Sequence, residues 1–317
     1  MQNDRSALFR EQIEAYIKEH ETQILTDLRE LIAFRSVSEE KNEIRKSLDW
    51  FLLRAEEMGF QTYRTTAGDA GIVEAGQGDE TLGILVHLDV VDPGDADKWR
   101  YPPFEGTVAD GFLWGRGTMD DKGAAVVCLY GMKALLDLGA VFHKRIWLIV
   151  GTAEEEDWTD MAHFKEEFPC PDYGFSPDGD FPIYNIENGY ADVVLEFDES
   201  ESIDILGQFD VHSGKSANTV PSKAVLSMNG VKQVFEGISA HSSTPEMGVN
   251  AIEKLCSSVA DNLPSAADFN FTRFVREILA CDMYGGKLKF EKEEEDWEGQ
   301  DLGRTTAAPT VLKGADG

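Results

Sequence analysis

The sequence predicts an α/β fold, a sheet with helices packed on it, and three observations carry that expectation. Helix-periodic and strand-like apolar runs alternate from the N-terminus to about residue 156. Two of the strand-like runs, "TLGILVHLDVV" and "RIWLIVGTAEEE", read as buried strands. Both end in histidine or carboxylates, and ligands in such sheets gather at the carboxyl ends of strands.

The elements follow in order. "LFREQIEAYIKEHETQILTDLRELIAF" carries Ile13, Ile17, Ile24, Leu28 and Leu31 at helical spacing. A second helix, "EIRKSLDWFLLRAEEMGF", stops at Gly59, a residue suited to the left-handed position after a helix. Short strands lead to "TLGILVHLDVV", and "TVADGFLWG" reads as a hairpin turning at Asp110-Gly111. "DDKGAAVVCLYGMKALLDLGA" is a helix closed near Gly139, and "RIWLIVGTAEEE" is the next strand.

From about residue 190 the texture changes. "ADVVLEFD", "KAVLSMNG" and "VKQVFEGISAH" read as strands, and "GVNAIEKLCSSVADNL" and "FTRFVREILACDMY" as helices. A boundary near Gly189 therefore separates residues 1–189 from a second unit at 190–317. The acidic "EKEEEDWEGQDLGRTT" reads as a solvated loop.

Composition narrows the function. With 59 acidic against 29 basic residues the net charge is -30, a surface that repels nucleic acid and anionic lipid. No apolar run approaches spanning length, and "MQNDRSALFREQIEAY" is polar rather than signal-like, so the expectation is a soluble, cytoplasmic protein. Cys128, Cys170, Cys256 and Cys281 are scattered without a CxxC pair and read as reduced, mostly buried thiols.

The chemistry begins at "VHLDVV". Strand side chains alternate, so His87 and Asp89 share a face. "VHLDVVDPG", "GRGTMDDKGA", "GTAEEEDW" and "FSPDGDFP" all place acids or histidine where strands should meet loops. Unpaired buried carboxylates are costly, so such a cluster needs cations to persist. Histidine and carboxylates without cysteine suit zinc, cobalt or manganese, with an open position for water.

Together, "HLDVV", "WRYPPF" and "DGFLWGRGTMDDKGA" resemble the di-zinc aminoacylase and carboxypeptidase superfamily of metallopeptidases, in order and spacing. "GTAEEEDW" and "FSPDGDFPIYNIENG" narrow the resemblance to its dipeptidase branch, the peptidase V or Xaa-His type. The resemblance implies a mixed-sheet catalytic domain carrying an inserted α+β lid, to which "NTVPSKA" and "GISAHSSTPEMGVNAI" are similar. It implies two zinc ions, with His87 and Asp178 on the first, Glu155 on the second and Asp120 bridging. Glu154 is then the general base, and Asp89 orients His87 through its second ring nitrogen. His241 steadies the tetrahedral oxyanion, and Asn218 assists there or at the substrate backbone. His20, His143, His163 and His212 have no motif and read as surface residues.

The resemblance also implies a later stretch carrying one more histidine for the second metal and a substrate-gripping arginine; Arg304 is not assigned to that role. Here the last histidine is His241. The expectation is a catalytic domain and lid that are incomplete, with one tightly held metal and little turnover. A truncated product, a frameshift or gene-calling error, and a degenerate paralogue each account for it. The tight connection between "VLSMNG" and "VKQVFEGISAH" also suggests a shortened lid. The functional expectation is a metal-dependent dipeptidase acting on small peptides, with zinc, or manganese or cobalt in its place. A deacylase of N-acyl amino acids and a non-catalytic peptide-binding module stand as alternatives.

Overall fold

The computed structural model describes residues 2–94, 96–179, 183, 189–199, 209–262, 269–279, 282–295 and 301–314. The chain divides into two units, Met1–Glu187 and Asn188–Gly317.

In the first unit, α1 (Gln2–Ala33) and α2 (Lys41–Glu57) precede β1 (Gln61–Arg64), β2 (Gly71–Ala75) and β3 (Thr81–His87). The hairpin β4 (Thr107–Ala109) and β5 (Phe112–Trp114) follows, then α3 (Lys122–Asp137), β6 (Arg145–Gly151), α4 (Thr159–Glu167) and β7 (Tyr173–Phe175). The sheet order is β1-β2-β6-β3-β7. β3 runs parallel to β6 and β7, whereas β2 is antiparallel to β6 and β1 to β2, so the sheet is mixed.

Alternation along β6 explains the layers. Leu148 and Val150 join Leu31, Ile32, Leu48, Phe51 and Leu129 in the core against α1, α2 and α3. Trp147 and Ile149 take the other face and pack with Phe164 of α4. Each such side chain contributes roughly 1.5–3 kcal/mol on burial. One polar network ties the three helices: Asp27 receives Arg54 Nε at 2.7 Å and the Tyr130 hydroxyl at 2.6 Å.

A buried lysine fixes the end of α1. The Lys122 ammonium donates to the carbonyls of Leu31 at 3.0 Å and Phe34 at 2.8 Å, at a helix end whose carbonyls lack partners within the helix. The chain beyond α1 is then stitched to the exit of β3, since Ser36 Oγ donates to the Leu88 carbonyl and Val90 N–H to the Ser36 carbonyl. The segments at 87–89 and 120–122 are thus both moored to one helix end.

In the second unit, β8 (Phe209–Ser213), β10 (Lys223–Met228), β11 (Val231–Glu236) and β15 (Leu312–Lys313) form an antiparallel sheet in the order β11-β10-β8-β15. On it pack α5 (Ala251–Asn262), through Ala251, Ile252 and Leu255, and the short α6 (Asn270–Phe274), through Phe271. The connection after "VLSMNG" is a two-residue hairpin at Asn229-Gly230, both with positive φ as such tight turns require. β9 (Thr219–Val220) pairs with β12 (Ala240–His241).

Three expectations need correction. "ADVVLEFD" forms no strand; residues 190–199 pair with nothing regular, and Val193 and Val194 are exposed. Strand propensity is realised only against a partner and a packed face. Parts of the acidic "EKEEEDWEGQDLGRTT" are strands rather than loop: β13 (Glu293–Glu295) pairs with β14 (Asp301–Arg304), with Glu293 opposite Arg304. Main-chain pairing between the two segments, which a run of charged side chains does not forbid, makes the strands. Cys170 is exposed, Cys128 half-buried and Cys256 buried, while Cys281 lies outside the described residues. Among the described residues, no helix is long and apolar enough to cross a membrane.

Candidate metal centre

His87 is the last residue of β3, opposite Gly151 at the end of β6. The residue is 2% exposed, and its Nδ1 lies 3.0 Å from the Asp89 carbonyl and 3.4 Å from Asp89 Oδ1. A carbonyl only accepts, so Nδ1 carries the proton and Nε2 presents its lone pair in the neutral ring. The Asp89 main chain thus shares with its carboxylate the orienting role expected of the side chain alone. The Asp89 carboxylate also receives the N–H groups of Glu154 at 3.3 Å and Glu155 at 3.0 Å.

Around Nε2 stand Asp120 Oδ1 at 3.1 Å, Asp178 Oδ2 at 3.4 Å and Glu154 Oε2 at 3.8 Å. Yet Nε2 is buried and makes no aligned hydrogen bond. His87, Glu154 and Asp178 each offer a ligand atom within 4.8 Å of the others. Ligands about 2.0–2.2 Å from a tetrahedral zinc sit roughly 3.4 Å apart, so these separations fit a shared cation better than direct pairing. Without one, burial opposes charge on the ring, but the carboxylates of Asp120, Asp178 and Asp89 outweigh it and raise the His87 pKa. The centre demands positive charge at Nε2.

The remaining acids follow from three chain segments. Asp120 precedes α3, and its pKa is lowered chiefly by His87. Glu155, after β6, is in side-chain contact with Asp120; burial first, then Asp120's charge, pushes it up to about 8. Two carboxylates in that position share a proton or hold a cation. Glu154 is also raised, by burial and then by Asp178, Asp89 and Asp120 against the pull of His87. Asp178 follows β7, where Ser176 Oγ donates to the Leu85 carbonyl and fixes the strand exit.

Sequence reasoning missed Asp121. Fully buried, it accepts the His87 N–H at 3.0 Å and so locks β3 to the start of α3; burial pushes its carboxyl up to about 7. The peptide bond between Asp120 and Asp121 is cis. The second acid of "DDK" was the available signal, but only the fold reveals which main chain it meets.

The two residues expected on the lid lie together in the second unit. His241 faces Thr219 across the β9–β12 pair, and Ser242 N–H donates to the Asn218 carbonyl at 2.7 Å. The Ser243 N–H donates to His241 Nδ1 at 3.2 Å, which leaves Nε2 to carry the ring proton. Asn218 Oδ1 accepts from Ser216 and Thr219 hydroxyls.

An α/β sheet that gathers a buried histidine and several carboxylates at the ends of its parallel strands has the build of a metal-dependent enzyme. The model of peptidase family M20/M25/M40 matches residues 83–285, and the chain belongs to that family. It is 30% identical over 314 residues to the Bacillus subtilis protein named "Putative dipeptidase YtjP", covering 86% of this chain and 67% of that one. It is 31% identical over 306 residues to the Beta-Ala-Xaa dipeptidase of Lactobacillus delbrueckii subsp. lactis, covering 84% and 64%. The chain thus spans about two thirds of the length of these curated relatives. Among solved structures, human carnosine dipeptidase 1 aligns at 19% identity with a TM-score of 0.48, over 67% of this chain and 47% of that one.

Proposed function

We propose that the chain carries the centre of a metal-dependent dipeptidase acting on small peptides in the cytoplasm. The observation that carries this reading is the buried, unbonded Nε2 of His87 among three carboxylates. The dipeptidase names of the relatives support the substrate class over an N-acyl amino acid. His87, Asp120 and Asp178 would hold a first cation, and Asp120 with Glu155 a second; histidine and carboxylate donors suit zinc, with manganese or cobalt as substitutes. The bound cations would supply a Lewis acid for the scissile carbonyl and lower the pKa of the attacking water.

The chain's own groups do the rest. Glu154, whose pKa is raised chiefly by burial, takes the proton from that water and delivers it to the leaving nitrogen. His241, on the unit we read as the lid, donates Nε2–H to the oxyanion, and Asn218 beside it binds the substrate backbone. Among the described residues the second position has only the carboxylates of Asp120 and Glu155, so it should bind its cation more weakly than the first, which adds the His87 nitrogen. Elemental analysis after gel filtration should find one tightly held zinc per chain. Dipeptide hydrolysis should be weak and should rise as manganese is added well beyond one equivalent. A chain that holds no zinc and hydrolyses no dipeptide at any metal concentration would sink the reading.

A further inference from the structure

We propose that Asp160 is a positioning residue for the metal centre, holding the main chain from which Glu154 and Glu155 project. The inference rests on the metal-centre reading above. Four consecutive N–H groups after β6 donate to carboxylates. Thr152 at 2.5 Å and Ala153 at 3.2 Å give to Asp160 Oδ2, while Glu154 at 3.3 Å and Glu155 at 3.0 Å give to Asp89. Asp160 is 1% exposed and Asp89 fully buried. Such a run of charge-assisted bonds fixes a loop more stiffly than neutral acceptors do.

The chain is shaped to bring Asp160 there. The N–H groups of Glu156 and Trp158 return to the Ala153 carbonyl, closing a turn. Trp158 sits at φ 58, in the left-handed region that bulky residues avoid, and α4 starts at the next residue. Asp160, in the first turn of α4, thus comes back beneath the end of β6. Gly151 makes room for it, because a Cβ there would stand 2.8 Å from Asp160 Oδ2. Adjacent acids on this loop face different partners: Glu154 lies 3.8 Å from His87 Nε2, while Glu155 meets Asp120. That division holds only while the main chain between them cannot rotate. Asp160 fixes the incoming half of the loop and Asp89 the outgoing half.

Asp160 also accepts the Met161 N–H at 2.7 Å, a local bond within α4, so the test must separate positioning from stability. In the full chain, zinc affinity is measured by chelator competition, cobalt coordination by visible absorption, and folding by circular dichroism. Asp160→Ala should weaken zinc binding about tenfold or more, as loss of an outer support does, and should shift the cobalt band while the variant remains folded. Asp160→Asn keeps an oxygen for the Thr152 and Ala153 N–H groups and should return affinity to within about threefold of the parent. Gly151→Ala, which retains the carboxylate but displaces it, should move the cobalt band as Asp160→Ala does. A lower melting temperature with parental zinc affinity and cobalt spectrum would reduce Asp160 to a structural role. If Asp160→Ala does not fold, unchanged affinity and spectrum in Gly151→Ala overturn the proposal by themselves. His87→Ala is the control: parental zinc affinity there would refute the metal-centre reading itself, not the role of Asp160.

Discussion

His87 and His241 are both read as working histidines, but the chain holds them by opposite means. His87 is buried, its ring nitrogen bonded to the Asp89 carbonyl and its own N–H to Asp121. Those acids are themselves tied to the loop after β6 and to α3. His241 is exposed on a two-residue strand, and its ring contacts Ser243, two residues along the same segment. The first arrangement pays its ordering cost on folding, whereas the second leaves part of that cost to be met when a ligand binds. A metal centre needs the former, since misplaced carboxylates repel one another. A group that donates one hydrogen bond to substrate tolerates the latter.

The largest expected effects test this contrast by removing chemistry from each region. Against a parent with measurable turnover, Glu154→Gln should lower kcat by about 100-fold or more, as loss of a general base does. His241→Ala should cost about 100-fold through loss of an oxyanion donor. The zinc affinity of His241→Ala should equal the parent's, because that residue is assigned to the oxyanion and not to a cation. Turnover within a few-fold of the parent would remove the substituted residue from its role. A loss of zinc affinity in His241→Ala would erase the contrast between the two regions.

A smaller effect concerns the support of His87. Asp89→Ala deletes the acceptor of two loop N–H groups but leaves the carbonyl that meets Nδ1. Zinc affinity by chelator competition should fall roughly 10–100-fold, the usual cost of losing an outer partner. An unchanged value, with native circular dichroism, would mean that the carbonyl alone suffices and that the carboxylate serves neither ligand.

These supports mark the limit of what the sequence discloses. Alternating apolar patterns announce β3 and β6, and the strand ends "VHLD" and "GTAEEE" announce the candidate ligands, because burial and period are written locally. The turns at Gly59 and Asp110-Gly111 are legible for the same reason. The roles of Asp121, Lys122 and Asp160 are not. Each meets main-chain atoms far away in sequence, His87 from Asp121 and Leu31 from Lys122, or on the far side of a loop, Thr152 from Asp160. A buried acid whose partner is backbone leaves no complementary residue to find. The failure at "ADVVLEFD" has the converse cause, since its pattern suits a strand that no neighbour pairs among the described residues.

The smallest expected effect lies away from the centre, where α4 is tied to the β1–β2 turn. His163 Nδ1 lies 2.6 Å from Asp69 Oδ2, while Thr65 Oγ1 donates to Asp69 Oδ1 and Glu167 accepts the Thr66 N–H. Asp69, by hydrogen bond and then by charge, raises the His163 pKa above its ordinary 6.5, with Glu166 and Glu167 adding to the pull. A histidine raised on folding stabilises the native state when protonated. That contribution is full below pH 6.5 and is lost as pH rises through the higher folded value. The pair is half-buried at the surface, so salt should still screen it in part and the effect should be modest. Urea unfolding of the parent and His163→Gln across pH 5.5 to about 8.5 should show the parent's advantage shrinking as pH rises. The same series in high salt should flatten the difference. An advantage independent of pH would mean that the neutral ring, donating Nδ1–H to Asp69, makes the contact and that the imidazolium charge adds nothing to it.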